Sequence, residues 1–166
     1  LALNISVTSN QKTSKTFFLR ISSLIPGFKD YNSKENLRIN DYEIRKFCSK
    51  TVNDKKDEYN DLKKKAIEEK QHDLNLKLDK SQTILRNFSD KLRLSKHGYS
   101  AVFDKGDEVD QEKLQQVVEN DKKLIDLAEK LSDDTQSLEI NRIIESTDSV
   151  INEMKATLRN REELLR

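Results

Sequence analysis

The sequence predicts an all-α protein, an elongated helical bundle built on a long helix or a helical hairpin, with antiparallel C-terminal helices against it. Three observations predict it. From Ser33 to His97 the chain runs for more than sixty residues without Gly or Pro, the two residues that interrupt helices most strongly. Along that run an apolar residue recurs every three or four positions, the spacing of one helix face. Charged residues make up 37% of the chain against 34% hydrophobic, a balance that suits an elongated shape whose surface is large for its core. The regular apolar spacing and a net charge of only +1 weigh against disorder.

Residues 1–15 are polar and unpatterned and read as a flexible lead-in; residues 16–166 fit a single elongated all-helical domain. Thr16–Ile25 forms a short helix with Phe17, Phe18, Ile21, Leu24 and Ile25 along one side, ended by Pro26 and Gly27. Phe28 and Tyr31 place apolar surface in the connector. Ser33 is the N-cap of the long arm, with Lys34, Glu35 and Asn36 in its first turn. Leu37, Ile44, Phe47, Cys48, Val52, Tyr59, Leu62 and Ala66 continue the apolar side.

Farther on, Leu74, Leu78, Ser81, Leu85, Phe88 and Leu92 repeat at gaps of four, three, four, three and four. That near-heptad spacing predicts a left-handed seam with a partner helix. Between these stretches, Lys63–Lys65 and Glu68–Gln71 are almost wholly polar, so the arm is either one helix or two with a subtle break. Unbroken, it would be about 95 Å long, too long for a domain of this size, which calls for a bend or a partner.

Gly98 suits the residue after a helix end, and Tyr99–Gly106 is the main irregular connector, its aromatics tucked between helices. A third helix starts after Asp107 or Asp110 and runs to about Leu131. A turn at Ser132, Asp133 and Asp134 leads to a fourth, through Leu138, Ile143, Val150, Met154 and Leu158 toward Leu165. Their short connection makes them antiparallel neighbours, expected to pack on the C-terminal half of the long arm as a three-helix unit.

Chemistry-bearing groups are sparse. Cys48 is the only cysteine, which excludes an internal disulfide and reads as a small core residue. His72 and His97 lie 25 residues apart, and no Cys–His set has zinc spacing. One Glu-x-x-His copy, Glu69 to His72, lacks the second copy that a di-iron bundle requires. Asp104–Glu108 falls short of a calcium loop, and three glycines supply no phosphate loop. The expectation is no cofactor, no metal and no enzymatic activity.

Charge is uneven: residues 1–50 carry a net +5, residues 51–97 a net +3 and residues 98–166 a net −7. The halves can attract within one chain or between subunits, or simply be solvated helix faces. Nucleic acid is disfavoured as a partner, because Asp54, Asp57, Asp61, Glu68 and Glu69 flank the lysines and cancel the potential a phosphate stripe needs. A membrane-surface contact has a better basis. Lys12, Lys15 and Arg20 accompany Phe17, Phe18, Leu19, Ile21, Leu24 and Ile25 in a short basic amphipathic segment. The same residues equally suit a cap on the bundle.

Ile25-Pro26-Gly27-Phe28-Lys29-Asp30-Tyr31 with Lys34-Glu35-Asn36-Leu37-Arg38, and Leu92-Arg93-Leu94-Ser95-Lys96-His97-Gly98-Tyr99-Ser100-Ala101-Val102-Phe103-Asp104, together resemble a family of largely uncharacterised bacterial all-helical proteins. Its pattern is similar to IPGYxxYxxKExxR and R…GYSGxFD, with Phe28, Asn36 and Ala101 as departures here. The resemblance covers about residues 20–166 and implies shared architecture without an assigned activity. The Asn, Lys and Ile usage also suits an AT-rich bacterial genome. Both views single out the aromatic connectors around Ile25, Pro26, Gly27, Phe28 and Tyr31 and around Gly98, Tyr99 and Phe103, as docking elements of the fold or as a partner-binding patch.

The expected function is a non-catalytic scaffold or adaptor contacting another protein or itself, beside a membrane in one version. A peripheral membrane-surface module and a nucleic-acid-binding protein are the alternatives. The expected location is cytoplasmic or membrane-peripheral. The chain starts at Leu1 rather than Met, which keeps a leader or cell-surface anchor among the options.

Overall fold

The computed structural model describes residues 15–94, 111–133 and 139–164. Among the described residues there are five helices and no strands: α1 (15–24), α2 (Lys34–Glu68), α3 (His72–Leu94), α4 (Gln111–Ser132) and α5 (Ile140–Leu164). They form an elongated all-α bundle.

The long arm is a hairpin. After Glu68 the backbone closes a Schellman turn: the Lys70 N–H donates to the Ile67 carbonyl at 3.0 Å and the Gln71 N–H to the Ala66 carbonyl at 2.8 Å. Lys70 carries the left-handed conformation this turn demands, with φ +57°. Glycine is the usual residue there, so the reversal leaves no glycine or proline mark in the sequence. Lys70→Gly is expected to raise the unfolding free energy by about 0.5–1 kcal/mol, read as a shifted midpoint in urea.

Cross-helix bonds give the register. Ser49 and Ser89 hydroxyls lie 2.9 Å apart, Gln82 donates to the Lys56 carbonyl at 3.0 Å, and Lys63 pairs with Asp79, so α3 runs antiparallel to α2. Each of the two serines also sits 3.4 Å from the other's carbonyl, a close approach that only small side chains permit.

The second hairpin, α4 and α5, does not sit on α3 alone as a three-helix unit. α4 packs beside α2 and α5 beside α3, which makes a square of four long helices. Lys77 bonds Asn141 at 3.2 Å and Ser81 donates to Asp148 at 2.6 Å, so α3 and α5 run in the same direction. Cys48 lies against the Leu124 carbonyl and Leu37 clusters with Val117, so α2 and α4 do too. The two hairpins are therefore stacked with the same orientation.

The near-heptad stripe finds its mate inside the chain. Leu78 and Leu85 are fully buried, and Phe88 and Leu92 are 1% exposed. They share one core with Val52 and Tyr59 of α2 and Ile144, Ile151 and Met154 of α5. Burial of side chains this size stabilises by roughly 1.5–3 kcal/mol each. Among the described residues no helix is long and apolar enough to cross a membrane.

Candidate functional site

The connector after α1 is docked rather than displayed. Ile25 and Phe28 are buried in the core, Tyr31 is half-buried, and Pro26 stays in solvent. Phe28 stacks tilted on Phe18 at 6.1 Å and edge-on to Tyr31 at 5.7 Å. Gly27 makes the bend at φ +97°, where a side chain would be strained.

A fully buried Asn40 on α2 ties this connector down. Its Oδ1 accepts from the Lys29 N–H at 2.7 Å and its Nδ2 donates to the Lys29 carbonyl at 2.9 Å. Asn40→Ala removes both bonds from a fully buried position and is expected to cost about 1–3 kcal/mol in thermal or urea unfolding. The turn is finished by Asp30, which accepts from Asn32 Nδ2 at 2.7 Å and Asn36 Nδ2 at 2.6 Å, and by the Ser33 cap on the Asn36 N–H at 3.1 Å.

Beneath the connector lies a buried ionic layer. The Arg161 guanidinium of α5 donates to Asp121 of α4 and to Asp41 of α2. Arg45 donates through Nε to both oxygens of Asp41, at 3.0 and 3.2 Å, and reaches Glu162 at 3.4 Å. The Tyr31 hydroxyl donates to Asp121 Oδ2 at 3.0 Å. Asp121 is 0% exposed, Arg161 2%, Asp41 4% and Arg45 4%, so these groups answer to one another rather than to water.

Burial pushes the Asp121 carboxyl above its ordinary range despite Arg161 and Tyr31. Burial pulls Arg161 the other way, but Asp121 and Asp41 outweigh it and hold the guanidinium more firmly protonated than usual. Tyr31 is pushed well up, first by burial and then by the Asp121 charge.

The layer separates two apolar regions. Above it lies the main core; below it, Leu37 and Val117 form a small cluster with half-buried Tyr31, Leu114 and Leu164. It joins the connector, α2, α4 and α5 at one level, and acts chemically as a clamp of mutually neutralised charges. Cys48 lies one turn above Ile44 and Arg45, fully buried, and burial pushes its thiol up to about 12. It is expected to resist alkylation at pH 8 in the folded chain and to react as one thiol per chain in denaturant, followed by mass spectrometry.

The other sequence candidates fall as follows. On α1, Ile21 is buried, Phe17, Phe18 and Leu24 are half-buried against the core, and Arg20 pairs with Asp126 and Glu129 of α4. The Glu69 to His72 spacing straddles the hairpin turn, so the two residues do not share a helix face. Among the described residues no group of three His, Cys, Asp or Glu side chains is placed to hold a metal ion. Gly98, Tyr99, Phe103 and His97 lie outside the described residues.

Asp41, Arg45, Asp121, Arg161 and Asn40 were not signalled as site residues by sequence reasoning. A signal existed: Leu37, Asp41, Ile44 and Cys48, and Val117, Asp121, Leu124 and Ala128, are each spaced four, three and four. A charge on a seam position demands a buried counter-charge. Comparisons with protein-family models, with curated proteins and with solved structures gave no match for this chain.

Proposed function

We propose that this chain is a non-catalytic helical scaffold or adaptor that works by contact with another protein or with a second copy of itself. The support is what the surface retains after the core has formed. Leu76 is 58% exposed and Leu94 71%, on the side of α3 opposite its buried stripe, and Ile67 at the end of α2 is 60% exposed. Leu76 and Leu94 are five helical turns apart, so they share one side of α3. Lys80, Thr83 and Asn87 lie between them, all exposed, giving a mixed face of apolar points in a polar field. Such a face offers separate apolar anchor points within a polar surface, a composition that a reversible protein contact can use.

The test is solution mass by light scattering across a concentration series, joined to affinity capture, for the wild type and for Leu76→Ser/Leu94→Ser. Exposed positions should leave the urea midpoint nearly unchanged. Loss of self-association or of a captured partner in the double variant supports the reading. A wild type that stays monomeric and captures nothing, or a double variant that binds equally well, overturns it.

A further inference from the structure

α1 and the connector after it are attached to the bundle with unequal firmness. Before Pro26, Ile21 and Ile25 are buried, at 0% and 2% exposed, but Phe17, Phe18 and Leu24 are only half-buried and Leu19 is 60% exposed. Arg20 meets Asp126 at 2.8 Å and also Glu129, and these side chains are 44%, 44% and 36% exposed. Exposed pairs of this kind are screened by salt and hold weakly. Past Pro26 the attachment is firm: Phe28 is buried, Asn40 grips Lys29 from both sides, and Tyr31 donates to buried Asp121. Gly27, at φ +97°, marks the boundary between the two.

What holds this segment on the bundle is an apolar bed for Phe17, Phe18, Ile21, Leu24 and Ile25, and negative charge for Arg20. An anionic bilayer offers both, and would add a partner for Lys15 and a place for Leu19, which the bundle leaves in water. The same side chains cannot serve bundle and bilayer at once. We propose that α1 is a displaceable strap that swings about Pro26-Gly27 and exchanges its seat on α4 for an anionic lipid surface, so that docking and membrane binding compete.

The experiment is flotation with phosphatidylcholine vesicles, with and without phosphatidylserine, at low salt. Asp126→Ala/Glu129→Ala removes the α4 side of the tether without touching α1, and both positions are exposed enough to tolerate it. This variant should float with anionic vesicles severalfold more than the wild type, and adding Phe17→Ser/Phe18→Ser should abolish the gain. Amide exchange on the wild type gives a second reading that needs no variant: anionic vesicles should alter exchange in residues 15–24 and leave 28–40 protected. Equal flotation of wild type and tether variant, flotation that survives Phe17→Ser/Phe18→Ser or the removal of phosphatidylserine, or an exchange change spread over the whole bundle overturns the proposal. No protein partner enters these readouts, so they are independent of the scaffold reading.

Discussion

Replacing Arg161 with Met is expected to lower the unfolding free energy by about 3–5 kcal/mol, measured by urea denaturation followed by helical circular dichroism. Arg161 is the guanidinium that answers both Asp121 and Asp41, and the three are 2%, 0% and 4% exposed. Methionine fills the volume but leaves a carboxylate with no counter-charge in a place water does not reach, and the desolvation of that charge then falls wholly on the folded state. Arg45 offers partial relief to Asp41, which it already contacts at 3.0 Å, and Tyr31 a single hydrogen bond to Asp121.

The companion variant separates loss of a partner from loss of the layer. Exchanging Asp41, Arg45, Asp121 and Arg161 together for Leu and Met removes the stranded charges with their partners, and should recover all but about 1–2 kcal/mol of the single-variant loss. A single variant that loses less than about 1 kcal/mol would show that the layer is not dry.

Phe88→Ala is the second large effect, about 3–5 kcal/mol. Phe88 is 1% exposed at the meeting of α2, α3 and α5, with the Lys155 ammonium 5.9 Å from its ring centre. Truncation leaves a cavity that rigid neighbours cannot fill. The diagnostic part is concentration. The stripe is mated within one chain, so the drop in melting temperature from wild type to variant should be the same across a hundredfold dilution series. A seam between subunits would instead make that drop vary with dilution.

The helices were legible because their signals are local. Ser33 caps α2 as its chemistry requires, Pro26 and Gly27 end α1, and the spacing from Leu74 to Leu92 marks the buried side of α3. The break in the long arm was legible only as a polar interval. Its mechanism was not, because Lys70 takes a conformation that sequence signals reserve for glycine. The mate of the stripe was also out of reach, since periodicity states that a face is buried and not what buries it.

Phe28 and Tyr31 stood out from their setting after Pro26-Gly27, but Asn40, which holds the Lys29 backbone between them, did not, as a buried asparagine mid-helix looks like any surface polar residue. The ionic layer was missed for a related reason. Asp41 and Asp121 stand on seam positions, yet Arg161 is 120 and 40 residues away from them, and pairing over such separations appears only once the hairpins stack.

That stacking has a mechanical consequence. Because both hairpins point the same way, the start of α2 and the end of α5 lie at one pole, where Leu37 and Leu164 share a small apolar cluster. Tension applied through Lys34 and Leu164 would therefore peel neighbouring helices apart one contact at a time instead of sliding them past each other. A protein loaded in that geometry yields at low force, and it does so first at the pole where the pull is applied.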